Sequence, residues 1–173
     1  FLNWYDTQTC EALLPMYVST VDSGNLSGHL LAVGGACREL AHADGQGVAL
    51  TRLAERCEQL AWEPEFGFLY HRKRHLLHIG YRVAEQQLDA GFYDLLASES
   101  RLTSLLAIAK GDVPAAHWAA LGRPFYAAGT EAGLRSWSGS MFEYLMPTLV
   151  LAEPQGSVLH DAARAVDVAP VAR

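Results

Sequence analysis

A chain of 173 residues, half of them hydrophobic, is long enough for one domain with a substantial core and too short for two comfortable ones. A net charge of −6 and a pI near 5.6 argue against a general nucleic-acid binder. No apolar run reaches the roughly 18 residues that span a bilayer and no signal peptide opens the chain, so this segment is not expected to enter a membrane by itself.

In chain order, a short strand-like start, FLNWYDTQT, leads to a loop closed by Pro15. Helices are expected at about 20–42 and 48–61, separated by the Gly-containing break ADGQG. On the first, Asp22, Leu26, Leu30, Val33, Cys37 and Leu40 form one stripe at helical pitch; on the second, Val48, Leu53, Cys57 and Leu60 do the same. The three cysteines show no CxxC spacing; Cys37 and Cys57 read as buried free thiols. FGFLYHRKRHLLHIGY then reads as a β-hairpin, with Phe66, Phe68 and Tyr70 on one arm and Leu77, Ile79 and Tyr81 on the other. Its tip, His71–His75, is the one basic run and reads as solvated rather than as a phosphate grip. A long helix is expected at about 92–110, ended by KGDVP, followed by the short helix PAAHWAAL. After a Gly-rich loop come a helix at about 139–151, kinked by Pro147, and a weaker one at about 157–166. The expected class is mainly α: helical hairpins packed side by side, with one β-hairpin inserted.

Three carboxylates sit in apolar company. Asp22 heads the stripe of the first helix; it either completes a capping box with Ser19 or faces something polar. Glu99 falls in the middle of the expected 92–110 helix, within the stripe Phe92, Leu95, Leu96, Leu102 and Leu106. Glu143 is the one ionisable carboxylate from Met141 to Leu151; it pairs with Arg135 or Arg123, or lines a cavity beside the kink. A buried carboxylate escapes its desolvation cost through a partner or a raised pKa, and a raised pKa suits a general acid. The aromatics Trp4, Tyr5, Tyr17, Phe92, Tyr93, Trp137 and Tyr144 lie close in sequence to these carboxylates, and flat rings suit the apolar C–H faces of sugars. His71, His75 and His78 have a spacing that would serve a metal on a helix, but a hairpin splits them between faces. The chain holds no GxGxxG, P-loop or GxSxG pattern.

The segments FLNWYDTQT, YVSTVDSGNLSGHLL, LHIGY, YDLLASESRLTSLLAIAKGDVPAAHWAALGRP and SWSGSMFEYLMPTLVL, in this order, resemble the central glucoamylase-like domain of cyclic β-1,2-glucan synthases. The likeness runs from Phe1 to about Leu151 and weakens over 152–173, a diverged or truncated tail. It implies that residues 1–173 are part of an (α/α) toroid of six helical hairpins carrying a small β-hairpin insertion. It further implies retaining transglycosylation of a linear β-1,2-glucan oligosaccharide into a ring, without metal or organic cofactor. Glu99 then corresponds to the general acid/base, and Asp22, Asn25, Tyr93, Trp137 and Glu143 match positions expected to line the sugar pocket. The nucleophilic carboxylate is expected beyond the end of this chain, with Glu143 as the fallback. The remainder of a parent polypeptide, at the cytoplasmic side of a bacterial inner membrane, is the other implied partner. The competing expectations are a non-catalytic carbohydrate-binding or scaffold segment, a β-1,2-glucan hydrolase, and a glycoside phosphorylase.

Overall fold

The structure, a computed structural model, describes residues 1–43, 47–128 and 131–168. Helix α1 (Thr20–Ala43) follows strand β1 (Tyr17–Ser19), and helix α2 (Gly47–Trp62) returns beside it. Both helices fall where the sequence periodicity puts them; the intervening break lies largely on residues 44–46, outside the described residues. Ser19 caps α1, its hydroxyl accepting the Asp22 N–H at 3.2 Å.

The face α1 buries is not the expected one. Leu26, Val33 and Leu40 are 44%, 49% and 52% exposed, and Asp22 is exposed as well. Packing uses the small residues instead: Ser23, Gly24, Ser27, Gly28 and Cys37 are buried, Gly24 and Gly28 meeting helix α3 (Arg101–Lys110) and Gly34 meeting Ala54 and Cys57 of α2. A Cβ on Gly24 would lie 1.9 Å from Thr103 Oγ1, and one on Gly28 would lie 2.7 Å from a Leu102 methyl. Close approach of two backbones is what selects this face, and a scan for large apolar side chains does not see it. Thr103 reinforces the contact by donating its hydroxyl to the Thr20 carbonyl at 3.1 Å.

The remainder departs from a mainly α toroid. Three small antiparallel sheets run through the middle of the chain, and the fold is mixed α/β. Strand β4 (Gly80–Arg82) lies between β1 and β5 (Gln87–Leu88); strand β3 (Leu76–His78) lies between β2 (Tyr70–His71) and β6 (Phe92–Tyr93). Only the inner rungs of the expected hairpin form, Tyr70 opposite Leu77 and His71 opposite Leu76; Phe66 and Phe68 belong to a 3-10 turn at Gly67–Leu69, and Tyr81 pairs with Val18 of β1 instead. Alternation along β3 separates two cores. Leu76 joins Leu96, Ala97, Leu121, Leu134, Tyr144 and Ala162, whereas Leu77 joins Phe66, Leu69, Ala107 and Val113.

The expected helix over 92–110 is half strand and turn. Phe92 and Tyr93 pair with His78 and Leu77, Leu95 bridges Gly122, and helix begins only at Arg101. Aromatic residues favour the pleated sheet, and the serines around Glu99 bond to each other and to local backbone, as turns require. Gly111, at φ +87°, closes α3 as expected, its N–H bonding back to Ala107 and Ile108. The short helix α4 (Ala116–Ala120) follows. What reads as a Gly-rich loop is the hairpin β7 (Phe125–Ala128) and β8 (Glu131–Leu134), against which helix α6 (Val158–Val168) packs, Ala165 facing Gly133. Between them, helix α5 (Met141–Leu145) stops short of Pro147, which opens a 3-10 turn over Met146–Leu149.

Because the α1–α3 contact leaves no room for a methyl group, Gly24→Ala is expected to lower stability by about 1–3 kcal/mol. Urea unfolding followed by circular dichroism measures it, and an unchanged midpoint would refute the close approach.

Candidate functional site

The N-terminal segment runs back over the start of α1. Asn3 donates its side-chain N–H to Asp22 Oδ2 at 2.7 Å, and its Oδ1 accepts the Ser19 N–H at 3.1 Å. Asn3 therefore fills the half of the capping box that Asp22 leaves vacant, and Asp22 keeps its other oxygen turned to solvent. One turn along α1, Asn25 Oδ1 is buried and has no hydrogen-bond partner.

Glu99 occupies the turn between β6 and α3. Its neighbours Ser98 and Ser100 are buried, while Glu99 itself is half-buried. Burial pushes its pKa up, and the negative charges of Glu143 and Asp22 push it the same way. Tyr93, at the end of β6, shares this neighbourhood: burial first, then the charges of Glu99, Asp22 and Asp89, raise its phenol to about 12. Asp89 is itself held by the Tyr17 hydroxyl at 2.5 Å and by Arg82 at 2.9 Å. Carboxylates from α1 and α5 thus both act on Glu99 in the 98–100 turn, and Tyr93 feels Glu99 and Asp22 as well.

Glu143 has a different fate. Its oxygens accept from the hydroxyls of Ser136, Ser138 and Ser140 at 2.9, 2.5 and 3.2 Å. They also accept from the backbone N–H groups of Trp137 at 3.1 Å, Ser138 at 3.0 Å and Ser140 at 3.2 Å. Burial pushes this carboxyl up, but the hydrogen bonds from Ser138 and Ser136 outweigh it and hold the pKa below the ordinary value. None of the expected ion pairs forms: Arg123 spends its guanidinium on the carbonyls of Leu121 and Trp118. The S-x-x-E spacing of Ser140 and Glu143 is the signal that would have revealed this cradle.

Arg101, missed in the sequence, ties the two carboxylate-bearing segments together. It is 2% exposed and donates to the carbonyls of Ser98 at 3.1 Å, Glu143 at 3.0 Å and Tyr144 at 2.7 Å, and to Glu153 at 2.5 Å.

The aromatics divide. Trp137 is 56% exposed, and Trp4, also exposed, stacks on Tyr17 at 6.5 Å. Tyr144 is core, its hydroxyl donating to the Leu134 carbonyl, and Phe92 is enclosed by His71, His78 and Arg74. An apolar groove of about 620 Å³, lined by Leu105, Ile108, Ala115, Trp118, Ala119 and Arg123, shares no residue with the carboxylates. Among the described residues no group of three His, Cys, Asp or Glu side chains could hold a metal ion, and no helix is long and apolar enough to cross a membrane.

No protein-family model matches the chain. A curated relative does: the cyclic beta-(1,2)-glucan synthase NdvB of Rhizobium meliloti (strain 1021), 46% identical over 277 residues. The match takes in 91% of this chain and 10% of the relative, so the chain spans about a tenth of that protein's length. A matched span longer than the chain itself means that the relative carries, within it, residues with no counterpart here. The chain is the counterpart of one segment of a cyclic β-(1,2)-glucan synthase.

Proposed function

We propose that this chain is a substrate-handling segment of an enzyme that closes linear β-1,2-glucan into a ring by retaining transglycosylation. The observation that carries the reading is Glu99: a half-buried carboxyl whose pKa is raised by burial and by the nearby charges of Glu143 and Asp22, the direction that favours its protonated form. As the C1–O bond of the glucan breaks, Glu99 gives this proton to the departing glycosidic oxygen. A carboxylate from the remainder of the parent polypeptide takes C1, forming the covalent glycosyl intermediate. A hydroxyl of the same glucan then displaces that carboxylate while Glu99, now ionised, accepts the hydroxyl's proton. Asp22 and Tyr93, which share an electrostatic neighbourhood with Glu99, and Asn25, one turn on from Asp22, supply groups suited to sugar hydroxyls, and Trp137 offers a flat face to a pyranose. The resemblance alone supports placing this work at the cytoplasmic side of a bacterial inner membrane.

A second reading, binding of glucan without turnover by this chain alone, draws support from Glu143. With six donors on its two oxygens it is a poor nucleophile, which leaves Glu99 without a reactive partner carboxylate on α5.

Two measurements follow. In the parent-length enzyme, Glu99→Gln is expected to cut ring formation about 10²- to 10⁴-fold while linear β-1,2-glucan still binds; near-normal turnover would remove the acid/base role. Stability carries an independent signature. The folded chain binds the Glu99 proton more tightly than the unfolded chain does, so this group costs stability as pH rises above the ordinary carboxylate range. Glu99→Gln should therefore raise the thermal midpoint at pH 7, by a margin that vanishes on acidification below that range. Thermal melts from pH 4 to 8 check the sign.

A further inference from the structure

Six donors on one carboxylate are more than a sugar ligand needs. They come from a five-residue loop, 136–140, that curls around Glu143 with Ser136 buried and Trp137 outside. Gly139, at φ +73°, makes the reversal, and its N–H donates to Ser136 Oγ at 2.9 Å. The Tyr144 hydroxyl accepts the Ser136 N–H at 3.0 Å and donates to the Leu134 carbonyl at 2.7 Å, fixing where the loop leaves β8. Trp137 is anchored through its backbone, by Glu143 Oε1, while its ring stays 56% exposed. A large aromatic ring left in water on a loop held this tightly has its Cα–Cβ bond aimed before any ligand arrives, so the backbone there has little freedom left to lose on binding.

We propose that Glu143 and the serines 136, 138 and 140 form a clamp that positions Trp137 as a stacking plate for a glucosyl unit. This rests on the glucan reading given above and assigns Glu143 the part of a positioning residue rather than a sugar ligand. The carboxylate is required because all its partners are donors. An amide at the same place would present N–H₂ to N–H and O–H groups and keep only one oxygen to accept.

The test uses the full 173-residue chain, ¹⁵N-labelled, with linear β-1,2-glucan as the probe. Among four tryptophans the Trp137 indole signal is assigned by its disappearance in Trp137→Ala. Ser138→Ala removes one clamp hydroxyl and is mild enough to keep the fold; Glu143→Gln removes most of the clamp. Both are expected to shift or broaden the Trp137 indole signal more than those of Trp4, Trp62 and Trp118. Trp137→Ala should weaken glucan binding about tenfold and Ser138→Ala about threefold to tenfold. The double variant should bind no more weakly than Trp137→Ala alone, because the serine acts through the ring. Additive losses, or an indole signal unmoved by Ser138→Ala, would overturn the clamp. Absence of glucan binding by the unaltered chain, with the indole still responding, would support the clamp and sink the glucan reading.

Discussion

The buried guanidinium of Arg101 is the interaction on which the rest depends. A cation at 2% exposure is tolerable only where most of its donors meet acceptors; here three carbonyls and the Glu153 carboxylate receive both terminal nitrogens, and only Nε is left without a partner. Those acceptors come from the turn before α3, from the body of α5 and from the loop leading to α6. Burial lowers the pKa of the guanidinium and Glu153 opposes the shift, so the group stays charged. One side chain thereby fixes the spacing between the turn that carries Glu99 and the helix that carries Glu143. Deleting one partner of such a pair strands the other in a dry place, which is far more costly than the pair is stabilising.

Given that spacing, two glutamates diverge through their surroundings alone. Glu143 gathers hydroxyl and amide donors, which lower its pKa; Glu99 loses water and faces neighbouring negative charge, which raise its own. The influence runs one way, from the charge on Glu143 to Glu99.

How far the sequence disclosed this depends on which physical signal each part uses. The extents of α1 and α2 were legible from the Gly-containing break between them, but the stripe expected on α2 was not its buried face: Val48 and Leu53 are 71% and 48% exposed, and Ala54, Cys57 and Ala61 are buried instead. Of the expected hairpin only the rungs next to the charged tip form. Cys37 and Cys57 are buried as free thiols, as their helix positions suggested. The buried face of α1 was misread because Gly24 and Gly28 pack through the absence of a side chain, which no hydrophobic pattern registers. Residues 92–100 were misread because Leu95 and Leu96 continue a helical spacing by coincidence, while the choice is made by the remote partners His78, Leu77 and Gly122. The three carboxylates stood out as charges in apolar runs. Arg101 did not, since an arginine between serine and leucine gives no hint that its partners lie 42, 43 and 52 residues away.

The turn that replaces the expected helix also bears on chemistry. In a helix interior, Glu99 would have its backbone amide and carbonyl committed along the axis and its side chain swept over the preceding turn. Placed instead one residue before the cap of α3, Glu99 accepts the Leu102 N–H on its own carbonyl at 3.2 Å, while the Arg101 N–H goes to the Ser98 carbonyl at 3.2 Å and the Ser100 N–H to Ser98 Oγ. The amides that open the helix are thus spent within the turn, and the Glu99 side chain is left to burial and to the charges of Glu143 and Asp22, all of which raise its pKa. A turn between two buried serines holds the carboxyl in that setting.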